Sequence, residues 1–369
     1  MAKKKKRTIE TVPETTKPIT TKKKKDEYVK INFKHIDFSK NQNDFIKKII
    51  NNDVTFVFGP AGSSKAQPLY SKILTKNGWV YMKDIKKGDY IIGQDGKEKK
   101  VTGVFPFKEK MVYKVLMSDG SYTKCCEDHL WFTQTLQDRE FRKRTKGNRK
   151  LRYVSPKFGS VKSLGEIKNT LKIKGRYNHY IPLVEPIDFA KKELLINPYI
   201  MGLLLGDGCF INPKKINVVT ADDEIANYVL EEFKNDNDLK VYISKDKRNG
   251  LKTINFSKNT KCITNKIFDI FKNFGLHNKN FDEKFIPNDY LFSSLNDRFE
   301  LLCGLMDTDG YVSKYSVAFT TASNQLMKDI TFLVNSFGGT VSVKKYNGCY
   351  KKNGVLVNCK YYYVININL

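Results

Sequence analysis

Three things are scarce in this chain of 369 residues. No run approaches eighteen consecutive apolar residues and the N-terminus lacks the apolar core of a signal peptide, so neither a membrane span nor a secretory leader is expected. The seven cysteines (Cys125, Cys126, Cys209, Cys262, Cys303, Cys349 and Cys359) have no CxxC pairing and no disulfide-scaffold spacing, which points to a soluble protein of a reducing cytosol. Acidic side chains are the third shortage: Lys plus Arg exceed Asp plus Glu by 66 − 39 = 27. Residues 1–25 hold ten basic and two acidic residues, a net of +8, so the rest still carries 27 − 8 = +19. A folded region this basic most often meets nucleic acid, although the balance also fits a lysine-rich, AT-biased genome. With 40% hydrophobic residues there is material for two or three domains.

What is present is a short pattern that occurs twice: residues 200–208, Ile-Met-Gly-Leu-Leu-Leu-Gly-Asp-Gly, and residues 302–310, Leu-Cys-Gly-Leu-Met-Asp-Thr-Asp-Gly. Each reads as an apolar helix ending in an acid. Gly202 and Gly206, like Gly304 and Thr308, are four apart, which gives each helix a small-residue stripe where another backbone can approach, and the two copies are expected to pack together. Gly208 and Gly310 are expected as left-handed C-caps, placing Asp207 and Asp309 at helix C-termini. The helix dipole disfavours an acid there by up to about 1 kcal/mol, and two facing acids repel. A divalent cation relieves both penalties, and hard cations with oxygen ligands suit phosphodiester hydrolysis. A single copy would be read as a core helix with a solvent-facing acid; the duplication favours the metal.

These segments resemble the paired motifs of LAGLIDADG homing endonucleases, which cut long DNA sites with two pseudo-symmetric αβ halves. After the first copy come a strand, a helix over residues 222–233, strands at 240–243 and 253–256 and a helix over 261–274. After the second come a strand at 316–321, a helix over 324–337 and strands near 340–345 and 360–368, with no counterpart of the last helix. The resemblance implies double-stranded DNA as partner, Mg²⁺ or Mn²⁺ as cofactor and Asp207 and Asp309 as metal ligands and catalytic acids. It also implies a catalytic role for Lys284, in Glu283-Lys284-Phe285-Ile286-Pro287, as a solvent-linked acid/base or charge partner. The alternative is a surface lysine before a proline turn. Asp307 is offset from the family's metal acid and is read as a helix-end polar residue.

The opening residues 1–25 are Lys, Thr and Pro with little to bury and are expected to be a disordered basic tail. Residues 26–65 are patterned: a strand at 28–33, a helix at 42–51 and an apolar strand at 54–58 entering Gly59-Pro60-Ala61-Gly62-Ser63-Ser64-Lys65. Strand, glycine loop and lysine begin a phosphate-binding P-loop. The wording resembles PhoH-like ATPases, with Gly59, Gly62, Lys65 and Gln42 as a nucleotide-binding remnant. Ser64 replaces the usual glycine, and Ala66 stands where a Mg²⁺-holding hydroxyl belongs. A P-loop must run straight into a helix. Here it meets short strands with tight turns at Asn77-Gly78 and Asp95-Gly96, the signal of a compact all-β domain.

An insert at this point is similar to an intein. Residues 72–75, 78–79 and 84–89 resemble the first block of its Hint domain, and residues 118–133, with Cys126-Glu127-Asp128-His129-Leu130-Trp131, its second. The resemblance assigns polarisation of the scissile peptide at the Lys65–Ala66 splice junction to His129; as an isolated residue, a His beside Leu and Trp would be read as packed structure. Cys126 stands where the family has Thr, and Ala66 offers no first nucleophile. Either Ala66 is an inactivating substitution, or this is the intein class that dispenses with that nucleophile and carries a tryptophan two residues after the histidine, where Trp131 fits. The second is favoured. No C-terminal intein blocks follow, so the chain alone is not expected to splice; it is a truncated product or half of a split system with a complementary C-terminal fragment as partner.

Between these regions, residues 142–152 carry seven basic side chains, Arg142, Lys143, Arg144, Lys146, Arg149, Lys150 and Arg152, read as a DNA phosphate-gripping arm or as a solvated loop. The expected architecture is multidomain: tail 1–25, P-loop α/β host piece 26–65, all-β Hint part 66–185 and α+β endonuclease 186–369. The expected activity is metal-dependent double-strand DNA cleavage, with ATP relevant only to the reassembled host protein, in the host cytoplasm of a phage or other DNA virus and without a membrane partner. An inactive DNA-binding relic is the first alternative; a P-loop ATPase is the second.

Overall fold

The computed structural model describes residues 11–13, 67–104, 110–136, 138, 159–209, 216–245, 250–313, 316–352 and 355–369. The host segment 26–65, Gln42, Gly59, Gly62, Lys65, Ala66 and the seven basic residues of 142–152 lie outside the described residues. The chain divides into two compact units, one running to Leu183 and one from Val184 to Leu369 together with the turn Lys76–Gly78.

The first unit is β-rich, with strands of two to six residues: β1 (Thr11–Pro13), β2 (Lys72–Thr75), β3 (Gly78–Tyr81), β4 (Tyr90–Ile92), β5 (Glu98–Lys100), β6 (Tyr113–Leu116), β7 (Tyr122–Cys125), β8 (Leu130–Thr135) and β9 (Ser160–Ser163). Helix α1 (Leu164–Asn169) precedes β10 (Lys172–Ile173), β11 (Arg176–Tyr177) and β12 (His179–Tyr180). The sheets run β3-β2-β4-β5, β1-β6-β7, β12-β8-β9 and β10-β11. Alternation explains the strands: Ile73 and Thr75 of β2 and Tyr113 and Val115 of β6 point inward, their intervening residues less so. The Asn77-Gly78 and Asp95-Gly96 turns carry φ of +113° and +69° at glycine, values that a side chain disfavours. Within the segment expected as a disordered tail, Thr11–Pro13 pairs antiparallel with Tyr113–Val115. These three residues interrupt the lysine runs with a β-branched pair that a sheet edge can accept.

The second unit contains two αβ repeats. The first is α2 (Pro198–Asp207), β13 (Ile216–Thr220), α3 (Asp223–Glu232), β14 (Leu239–Lys245), β15 (Lys252–Lys258) and α4 (Lys266–Asn273), followed by the short α5 (Asn288–Leu291). The second is α6 (Leu295–Asp309), β16 (Gly310–Ser313), β17 (Ser316–Thr321), α7 (Asn324–Asn335), β18 (Thr340–Lys352) and β19 (Val355–Asn368). Their antiparallel sheets have the orders β13-β15-β14 and β16-β17-β19-β18. Where β16 completes the second sheet, the first repeat has the single bridge Cys209–Asn217 among the described residues.

Helix α4 starts five residues later than its pattern suggests. Asn265 starts it, accepting from the Ile267 and Phe268 amides at 3.0 and 3.2 Å while its Nδ2 donates to Phe256 O at 2.8 Å. Helix α7 stops at Asn335 instead of 337, because Gly338 turns left-handed at φ +82° and Gly339 N returns to Val334 O at 3.1 Å. Among the described residues, no helix is long and apolar enough to cross a membrane.

Candidate active site

Helix α2 begins with Asn197, whose side chain accepts from Tyr199 N at 2.9 Å, and Pro198 follows at the position where a missing N–H costs nothing. Residues 200–206 are all buried, so the helix is apolar on every side and sits inside the unit. Its partner is α6, capped by Ser294, whose Oγ accepts from Asp297 N at 3.2 Å. The glycines decide how close the two come. A Cβ on Gly202 would overlap Leu301 O and Leu305 N, one on Gly304 would overlap Tyr199 O, and one on Gly206 would overlap the Thr308 hydroxyl. Backbone therefore packs on backbone, as the small-residue stripe predicts.

The caps differ from expectation. Gly208 and Gly310 are extended, at φ −67° and −79°, because the chain leaves each helix directly toward a sheet. Glycine is required for space: a Cβ would run into Leu204 O or Met306 O of the preceding turn.

Asp207 and Asp309 end the two packed helices, and both are exposed at the surface. Their surroundings still desolvate them. Burial raises the Asp207 carboxyl, with the Lys284 ammonium working against the rise. Burial also raises Asp309, and the charge of Asp207 adds to it, so the two acids sense each other. Lys284 is 8% exposed and hence not the surface lysine of the simpler reading. Its Nζ donates to Gly206 O at 2.5 Å and Gly208 O at 3.2 Å, the carbonyls at the negative end of α2. Burial lowers its pKa while Asp309 and Asp207 pull it back up. The three residues thus form one electrostatic cluster.

Asp307 has a partner outside this cluster. Its carboxylate accepts from Tyr199 OH at 2.7 Å, joining the end of α6 to the start of α2, and burial together with that carboxylate raises the phenol's pKa. A cavity of about 140 Å³ is lined by Asp207, Asp307, Thr220 and apolar residues including Leu203 and Ile225.

In the first unit, His129 occupies a turn closed by its own N–H to Cys126 O at 3.1 Å and by Leu164 N to His129 O at 2.9 Å. Its ring meets Trp131 edge-on at 5.5 Å, and its Nε2 lies 3.5 Å from Gln67 Nε2. Cys126 is buried beside Cys125, whose thiol burial pushes up to about 12. A thiol held so far from ionisation is a packing group.

Two features of the site escape a linear reading. Ser323 and Asp329 of α7 bond the backbone around Lys284. Asp329 alone carried a signal: it lies on the buried face with Leu326, Ile330 and Leu333, an acid in an apolar stripe.

Residues 296–366 match a family model described as a LAGLIDADG-like domain. The match spans α6 to β19, so the second repeat is LAGLIDADG-like. Over 283 residues the chain is 28% identical to a replicative DNA helicase DnaB of Mycobacterium intracellulare, covering 75% of this chain and 43% of the helicase. It is 23% identical over 300 residues to a probable translation initiation factor IF-2 of Methanocaldococcus jannaschii, covering 80% of this chain and 24% of that protein. The chain therefore spans less than half the length of either relative. Among solved structures, the homing endonuclease I-DmoI in complex with DNA and Mn overlays with a TM-score of 0.31 at 16% identity, covering 47% of this chain and 89% of that one. The homing endonuclease I-WcaI bound to its DNA recognition sequence overlays with a TM-score of 0.27 at 12% identity, covering 48% and 78%.

Proposed function

We propose that this chain is a LAGLIDADG-type endonuclease that makes metal-dependent double-strand cuts in DNA, carried in the N-terminal part of an intein that interrupts the P-loop of a PhoH-like ATPase. The observation that carries the reading is the convergence of Asp207, Asp309 and Lys284 at the ends of two helices packed backbone to backbone. Two desolvated carboxylates beside helix-end carbonyls form a hard-oxygen donor set that suits Mg²⁺ or Mn²⁺. Among the described residues no third His, Cys, Asp or Glu joins them, so carbonyls, water and phosphate oxygens would fill the remaining positions. A bound cation would supply Lewis acidity and charge for phosphodiester hydrolysis. Asp207 and Asp309 would hold it, and Lys284 would keep a positive charge beside the reacting phosphate.

The intein context rests on two supports. A helicase and a translation initiation factor share this stretch although their named tasks differ, and it forms only 43% and 24% of their lengths, the pattern of a segment carried between unrelated hosts. His129 also lies beside Gln67, the second residue after the proposed Lys65–Ala66 junction, where polarisation of that peptide would require it.

The test is cleavage of a duplex spanning the uninterrupted P-loop coding sequence, with Mg²⁺, comparing the chain with Asp207→Asn and Asp309→Asn. Cuts lost in both variants establish the endonuclease. Salt-sensitive binding without cuts means a DNA-binding relic, and neither binding nor cutting removes the proposed target.

A further inference from the structure

Lys284 lies between α4 and α5 in a stretch, residues 284–287, that belongs to no helix or strand. Such backbone does not aim a side chain unaided. Two side chains of α7, in the other repeat from the helix end that Lys284 reaches, hold it. Ser323, the N-cap of α7, donates its hydroxyl to Lys284 O at 2.6 Å while accepting from Leu326 N at 3.1 Å. Asp329 accepts from Ile286 N at 2.9 Å, and its other oxygen accepts from Gln325 Nε2 at 2.7 Å. Ser323 is 0% and Asp329 5% exposed, so water does not compete for these bonds.

The two repeats show that this is particular to the second. Thr220-Ala221-Asp222 and Thr321-Ala322-Ser323 align without a gap into α3 and α7, and that register puts Tyr228 opposite Asp329. Tyr228 accepts from Asn197 Nδ2 at 3.1 Å and packs edge-on against Tyr199, so the first repeat steadies the start of α2 at this position. Tyr228 is exposed whereas Asp329 is buried, and a buried carboxylate is costly unless its bonds are used. Here they fix the residue two places after Lys284.

We infer that Ser323 and Asp329 are positioning residues for Lys284, so that the second repeat places the ammonium at the acid-bearing end of the first repeat's helix. Its consequence for cleavage rests on the endonuclease reading; the placement itself does not.

The test on the full chain is amine-reactive labelling with peptide mass spectrometry, using Lys252 as internal reference. Lys252 is likewise buried, at 5% exposure, and reaches Asp223 at 2.7 Å and Ala221 O at 3.0 Å within the first repeat. Ser323→Ala and Asp329→Ala should raise Lys284 labelling about tenfold relative to Lys252, as a local opening does. Ser323→Thr and Asp329→Asn keep the hydroxyl and the acceptor and should label as the parent. No rise at Lys284, or an equal rise at Lys252, overturns the inference. In single-turnover cleavage the alanine variants should lose about 10²-fold in rate with DNA affinity kept, the cost of misplacing a group by about 1 Å. Alanine variants that label fast yet cleave as the parent also overturn it. A parent that cuts nothing defeats the endonuclease reading and leaves the labelling result to decide the placement.

Discussion

Asp207 and Asp309 stand where a carboxylate opposes folding. Both have raised folded-state pKa values, from burial first. As pH rises past the ordinary carboxylate value of 3.8, the unfolded chain therefore loses these protons before the folded chain does, and stability falls. The favourable contribution is complete below that value and is lost as pH climbs through the raised folded values. In chelator, Asp207→Asn and Asp309→Asn should accordingly raise the thermal midpoint at pH 7, with the gain fading as the melt is repeated toward pH 4; equal or lower midpoints at pH 7 would refute the account. Arg298 is the opposite case, a buried cation with an acceptor at each of its three nitrogens. Its guanidinium lies between the rings of Phe189 and Phe337, at 5.0 and 5.1 Å, and donates to Ser293 O, Ser336 Oγ and Ile187 O. Burial pushes its pKa down to about 10. Arg298→Lys keeps the charge but loses the planar fork, so acceptors are left without donors. Urea unfolding should show a loss of about 1–3 kcal/mol.

At the scale of elements, the α2–α6 crossing leaves no room for added side-chain volume at its glycines. Gly304 faces Tyr199 O and the Gly202 Cα with no room for a methyl group. Gly304→Ala must push the helices apart, and overpacking of this kind costs about 1–3 kcal/mol. The same displacement would move Asp309 relative to Asp207, so the variant should lose cleavage at temperatures where circular dichroism still reports it folded. Retained activity would mean that the acids do not depend on this spacing. The alignment of the helix pair also explains why Gly208 and Gly310 are glycines although neither is left-handed: the chain leaves each helix past the carbonyl of the preceding turn.

For the whole molecule the leading property is charge. In the proposed complex with DNA, an excess of +27, of which +19 lies beyond residue 25, would make phosphate contact the main source of affinity. Binding should weaken steeply with salt. Replacing Arg142, Arg144 and Arg149 by Gln should lower the slope of log affinity against log salt by about 0.9 for each phosphate contact removed. An unchanged slope, measured by fluorescence anisotropy across salt, would mean that the arm does not touch the duplex.

The duplicated motif, the order of helices and strands after each copy except β16 (Gly310–Ser313), and the glycine stripe that joins α2 to α6 were legible in the chain itself. Periodicity and small-residue spacing are local properties, and local properties determine elements and their faces. Element ends were less legible, because they depend on caps such as Asn265 and on the turn at Gly338, which moved them by five and two residues. Folding alone decided that Lys284 is buried, that its ammonium meets Gly206 and Gly208, and that Ser323 and Asp329 hold it from α7. Those partners are 39 to 78 positions away in the chain. No spacing rule reaches that far. Only the packing of one repeat on the other brings the groups within hydrogen-bond distance and removes the water that would otherwise take their place.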